Sequence, residues 1–231
     1  ARQLVRLLHD LGYRRGSNAD AFHHPGRTAV FVGDLIDRGP HQVEVLQIVR
    51  AMAEAGTAQV VMGNHEFNAV AYATPDPERP AEFLRPHNDK NDRQHQAFLK
   101  QIRAGSEDYL STIAWFGTLP LWLDLGGVRV VHASWDAAAI AGLGEPYLDD
   151  GQFVAASHKD SDEYRWVEHL CKGPEVVLPD GCSFEDKDGH VRHHARYRWW
   201  DAQTGTYLTA LENPSTTPFP NHPIPDPPVQ P

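Results

Sequence analysis

Thr28-Ala29-Val30-Phe31-Val32-Gly33-Asp34-Leu35-Ile36-Asp37-Arg38-Gly39 is an apolar run that breaks off at a glycine and is followed at once by acidic and basic residues. Gln59-Val60-Val61-Met62-Gly63-Asn64-His65-Glu66 repeats the pattern. Short apolar runs bounded by turn signals read as buried parallel strands. Between them, Val45, Ile48, Val49 and Met52 form one helical stripe over residues 41–55, and Pro40 suits a first helical turn because its missing amide hydrogen would be unpaired there. The segment reads as a βαβ unit with a right-handed crossover. Polar residues that follow parallel strands emerge together at the carboxyl edge of the sheet, so Asp34, Asp37, Arg38, Asn64 and His65 are expected to meet. Carboxylates, a carboxamide oxygen and an imidazole suit a divalent metal, and a guanidinium suits a phosphoryl oxygen. Such a set fits metal-assisted phosphoester hydrolysis.

Gly33-Asp34-Leu35-Ile36-Asp37-Arg38-Gly39 and Gly63-Asn64-His65-Glu66 resemble the second and third signature blocks of the calcineurin-like metallophosphoesterases, closest to the phosphoprotein phosphatase branch of bacterial type. A further block follows: Leu121-Trp122-Leu123-Asp124-Leu125, the turn Gly126-Gly127, and Val128-Arg129-Val130-Val131-His132-Ala133 read as a β-hairpin that delivers His132. The resemblance implies an α/β fold, a sandwich of two mixed β-sheets flanked by helices. It covers roughly residues 1–136. The family's first block, Gly-Asp-x-His-Gly, has no match here, nor does its last Gly-His block. Because Leu4, Leu7, Leu8 and Leu11 already have helical spacing and residue 1 is alanine, the chain is expected to be a fragment truncated at both ends.

The resemblance implies two divalent metal ions, Mn, Fe or Zn, with Asp34 bridging them and Asn64 and His132 ligating the second. It further implies His65 as general acid, Asp37 as the residue that holds its tautomer, and Arg38 as the phosphoryl clamp. With only Asp34 available to the first metal, the chain itself is expected to bind one ion weakly or none. Each role has a plainer rival. Asp34 and Asn64 could cap backbone amides where strand turns into helix, Asp37 and Arg38 could form a surface ion pair, and His132 could be a hydrogen-bonded core residue. The leading substrate class is phosphorylated Ser or Thr of proteins, with dinucleoside polyphosphates as the alternative. From another class, the chain could be a noncatalytic, metal-poor module that uses its proline tail as a ligand.

The formal net charge of −10 argues against nonspecific attraction to nucleic acid or to an anionic membrane. No apolar stretch is long enough to span a bilayer, and the expected location is the cytoplasm. Cys171 and Cys182 lack the spacing of a disulfide framework or a zinc site and are expected to be reduced thiols. Further helices are expected near residues 1–12, 65–73, 92–103, 107–116 and 161–171. Residues 74–91 form a Pro-rich, charged excursion in which Arg85, His87 and Lys90 are candidate contacts for a phosphate remote from the scissile bond. Residues 183–200, with a turn at Asp188-Gly189, read as a late hairpin. One incomplete phosphoesterase domain is expected over residues 1–212. The remainder, 213–231, is expected to be a proline-rich tail, extended and poorly ordered.

Overall fold

The computed structural model describes residues 1–16, 20–186, 189–201, 205–212, 218–225 and 227. Helix α1 (Arg2–Asp10) is followed by a small antiparallel pair, β1 (Arg14–Arg15) and β2 (Phe22–His23). Next come β3 (Ala29–Phe31), α2 (Gln42–Glu54) and β4 (Ala58–Val60). Strands β3 and β4 pair in parallel, with Ala29, Val30 and Phe31 opposite Ala58, Gln59 and Val60, as the two apolar runs foretell. Helix α2 is buried on two sides. Leu46 and Val49 join the main core, while Ile48 and Met52 pack with Leu8, Tyr13, Phe22 and Ala58.

Helices α3 (Asn64–Ala73), α4 (Asp89–Leu99) and α5 (Glu107–Gly117) follow, then the antiparallel hairpin β5 (Trp122–Asp124) and β6 (Arg129–Val131). Asn88 and Ser106 cap α4 and α5 by accepting from backbone amides three residues on, the usual use of short polar side chains there. The main core closes with α6 (Ala137–Leu143), α7 (Asp150–Ser157) and α8 (Asp162–Lys172). Phe98, Phe116, Leu121 and Leu170 are fully buried in it. Burying each such side chain is worth about 1.5–3 kcal/mol.

The last third builds a smaller core. Strand β7 (Glu175–Val177) pairs with β10 (His194–Arg196), and β8 (Phe184–Glu185) with β9 (Val191–Arg192). Val176, Ala195, Tyr197 and Leu211 pack with Tyr207 and Ala210 of α9 (Tyr207–Ala210). The late hairpin is therefore present as β8 and β9, although Asp188 of its turn lies outside the described residues. Every sheet among the described residues is two-stranded, so the strands that position the site are the β3–β4 pair and the β5–β6 hairpin. Met62 N–H donates to the Pro120 carbonyl at 2.8 Å and joins the two.

The helix expected over 1–12 is present as α1; Leu4 packs against the core and Leu8 is buried, while Leu7 and Leu11 are exposed. Only the α1 side toward β2 and α2 is covered. One expectation needs correction: in the described part of the proline-rich tail, Phe219 and Ile224 are buried in the smaller core, and the Pro220 and His222 carbonyls accept from Leu208 and Tyr207. These two apolar residues, spaced between prolines, have a surface to cover. No helix among the described residues is long and apolar enough to cross a membrane. Both cysteines are free, and burial pushes the Cys171 thiol far up.

Candidate active site

Where β3 and β4 end, two glycines let the loops approach closely. A Cβ on Gly33 would stand 2.4 Å from the Gly63 nitrogen, and one on Gly63 would stand 2.7 Å from the Asp34 nitrogen. Gly33, Asp34 and Asp37 all have positive φ, at 85°, 58° and 65°. For the two aspartates this backbone is costly, about 1–3 kcal/mol each, and persists only where the surroundings over-determine it.

Glu66 is what over-determines it. Its side chain is fully buried, at 0% exposure. Oε2 accepts from the amides of Asp34 (2.9 Å) and Gly63 (3.0 Å), and Oε1 from that of Leu35 (2.7 Å). Burial raises its pKa, and these amide donors work against that rise. One carboxylate thus caps α3 and pins the loop after β3 to the loop after β4. Gln42, also buried, does the same for Asp37, accepting its amide at 2.8 Å.

Asp34 is not the backbone cap of its plainer reading. Its Oδ1 is buried without a hydrogen-bond partner, and His132 Nε2 lies 3.4 Å from it. His132 arrives from β6, with Nδ1 against the Val32 carbonyl. A carbonyl only accepts, so Nδ1 carries a proton, and in the neutral ring Nε2 presents its lone pair. A carboxylate oxygen and an imidazole lone pair facing each other form a donor set for a cation. Asn64 opens α3 directly after Gly63, and the capping work there falls to Glu66 rather than to Asn64.

Nor do Asp37 and Arg38 form a surface ion pair. Both Asp37 oxygens go to imidazoles: Oδ2 to His65 Nδ1 at 2.8 Å and Oδ1 to His95 Nδ1 at 2.9 Å. Burial alone would raise the Asp37 carboxyl, but the two hydrogen bonds outweigh it and hold the pKa below the usual range. For His65, burial disfavours the charged ring, yet the hydrogen bond to Asp37 and the charges of Asp34 and Asp37 prevail and raise its pKa. His65 Nε2 points to Asp34, 3.9 Å from Oδ2. Arg38 is exposed on the same loop.

The three basic candidates of the excursion are placed differently. Arg85 donates to Asn68 on α3, one turn beyond Asn64, and to Gln94 on α4 at 2.6 Å. Burial lowers its pKa, and the charges of Asp37 and Glu168 oppose that. His87 is instead stacked between Phe83 and Tyr72, with ring centroids 4.1 and 3.9 Å away. Lys90 is exposed on α4. None of the three is placed against the Asp34 cluster by a hydrogen bond or ion pair among the described contacts. Glu66, Gln42 and His95 were not among the expected site residues. Glu66 stood inside a quoted block, and its acidity beside a strand end was the available signal.

The family model for calcineurin-like phosphoesterases matches residues 2–208. The chain belongs to this family. Calcineurin-like phosphoesterases generally bind two divalent metals. Among the described residues no group of three or more His, Cys, Asp or Glu side chains gathers as a metal site. The orphaned Asp34 oxygen facing His132 nevertheless fits one cation. Among similar curated proteins is the asymmetrical bis(5'-nucleosyl)-tetraphosphatase PrpE of Halalkalibacterium halodurans, 48% identical over 66 residues, which are 27% of this chain and 25% of that protein. PrpE of Bacillus subtilis is 41% identical over 63 residues, again 27% and 25%. The symmetrical bis(5'-nucleosyl)-tetraphosphatase of Aromatoleum aromaticum is 34% identical over 104 residues, 44% of this chain and 32% of that protein. These alignments span between a quarter and a third of the relatives' own length.

Proposed function

We propose that this calcineurin-like phosphoesterase hydrolyses dinucleoside polyphosphates, with a divalent cation held by Asp34, His132 and Asn64. The observation that carries the hydrolytic reading is the convergence, where the β3–β4 pair meets the β5–β6 hairpin, of an orphaned carboxylate oxygen, the facing imidazole of His132 and a second imidazole locked on Asp37. The three motifs alone put phosphorylated Ser or Thr of a protein first. The names of the similar curated proteins favour the nucleotide instead, and so does Arg85, a cation set within electrostatic reach of Asp37 on the excursion. We place the protein in the cytoplasm and favour Mn among the metals the family uses.

A divalent cation at this site supplies a water of lowered pKa and neutralises phosphoryl charge. The remaining work belongs to side chains. Arg38, exposed at the mouth of the loop, offers a planar fork of donors to the phosphoryl oxygens. His65, with Nδ1–H committed to Asp37, holds a proton on Nε2 when charged and gives it to the oxygen that leaves phosphorus. Asp37 fixes the ring and favours the imidazolium. Arg85 binds a phosphate further along the chain of the substrate.

The test is hydrolysis of diadenosine tetraphosphate with Mn²⁺, run beside a phosphoserine peptide and with Asp34→Asn as control. Cleavage of the dinucleotide, absent in the variant, is expected. The products, triphosphate plus monophosphate or two diphosphates, report which anhydride is cut. Cleavage of the peptide alone would reverse the substrate class.

A further inference from the structure

Asp37 is held by two histidines, and the role of the second is unassigned. His95 lies on α4, 3% exposed, with its ring centroid 5.1 Å from those of Tyr72 and Phe98. Nδ1 is 2.9 Å from Asp37 Oδ1, while Nε2 is buried without a hydrogen-bond partner. An ionised carboxylate only accepts, so the proton of each hydrogen bond sits on Nδ1 of the imidazole. The side-chain hydrogen bond of His95 among the described residues is thus given to Asp37. An apolar residue would fill this aromatic surround without leaving a polar atom orphaned, so packing does not account for a histidine here.

What the contact does follows from the carboxylate's freedom. The Asp37 backbone is fixed at φ 65° with its amide on Gln42, but a carboxyl on a single bond can still turn. If it turns, His65 Nδ1 loses its acceptor, and the ring exchanges between tautomers. With Oδ1 tied to His95, Oδ2 stays on His65 Nδ1, and His65 Nε2 remains the atom directed at Asp34. We infer that His95 is a positioning residue, which clamps one oxygen of Asp37 so that the other holds His65 as its Nδ1–H tautomer. Its role in turnover rests on the reading of His65 as proton donor; its effect on the tautomer does not. His95 is carried on the helix to which Arg85 ties the excursion, so the element that would meet the far part of a substrate also sets the proton donor.

The chain labelled with ¹⁵N-histidine tests this by long-range ¹H–¹⁵N spectra, recorded where the rings are neutral. In the unaltered chain His65 is expected to show a protonated Nδ1 and a bare Nε2. In His95→Phe, which keeps a ring but no donor, the His65 signals should move toward a mixture of tautomers. His95→Gln, which can donate to Asp37, should restore them. His95→Leu serves as a second donorless variant if the larger ring is not accommodated. A His65 that stays wholly in the Nδ1–H form in a folded donorless variant would overturn the proposal, as would an Nε2–H form in the unaltered chain. In turnover of aryl phosphates, the donorless variant should lose kcat, with KM unchanged, by about tenfold more for poor leaving groups than for good ones. A uniform loss across leaving groups would count against positioning. Absence of any hydrolysis by the unaltered chain would overturn the phosphoesterase reading alone, since the spectra decide the role of His95 without turnover.

Discussion

His132 Nε2 faces Asp34 Oδ1 across 3.4 Å, and the oxygen has no hydrogen-bond partner. An acceptor opposed to a lone pair is a stability cost in the metal-free chain, and it is the kind of cost that functional sites carry. Asp34→Asn removes the charge and keeps the shape. Urea unfolding without metal should show the variant as stable as the parent or more so, by up to about 2 kcal/mol. A loss above about 1 kcal/mol would mean that Asp34 serves the fold.

Glu66 should be the site's chief structural residue. Glu66→Gln replaces one accepting oxygen with a donating amide aimed at backbone N–H groups that now lack an acceptor. Each orphaned amide costs roughly 1–3 kcal/mol, so a loss of at least about 2 kcal/mol in urea unfolding is expected. Parental stability would show that the amides left without an acceptor find other partners.

Asp136 gives a pH signature away from the metal ligands. Burial tends to raise its carboxyl, but the hydrogen bond from His169 and those from the Ala139 and Ala138 amides lower it below the ordinary value of 3.8. A lowered folded pKa means that the stabilisation is fully present above the unfolded pKa and is lost as pH falls through the folded one. Asn caps helices as well as Asp. The stability difference between the parent and Asp136→Asn should therefore be steady near neutrality and shrink below about pH 4. A difference independent of pH would contradict this.

Arg38 and Arg85 should separate in kinetics. If Arg38 meets the charge that develops at phosphorus, Arg38→Ala should cut kcat by about 10²–10³-fold on any substrate. Arg85→Ala should chiefly raise KM for the dinucleotide and leave that for a small aryl phosphate unchanged, because it removes uniform binding to a remote group. Equal effects on both substrates would remove Arg85 from substrate contact.

The parallel strands, the helix between them and the hairpin ending in His132 were legible because each is a short apolar run with its own period and turn residues. Asp34, Asp37, His65 and His132 came with them, as residues that strand ends bring together. His95 was not legible. It lies within the helix expected near 92–103, which is α4 at Asp89–Leu99, but nothing local says that this turn of α4 meets Asp37, 58 residues earlier. Glu66 showed its charge and hid its work, since its three partners exist only once Gly33 and Gly63 touch. Helix α6 escaped notice for a similar reason. Ala137–Leu143 is short and contains Gly142, whose role is to let Trp166 approach so closely that a Cβ would stand 2.4 Å from its ring.

The most direct measurement is Mn²⁺ bound to the chain at equilibrium dialysis, with Asp34→Asn and His132→Ala beside it. One ion per chain, held loosely and lost in both variants, is the expected result. No Mn²⁺ bound even at millimolar concentration, or binding that both variants retain, would contradict a metal-dependent phosphoesterase site at Asp34 and His132.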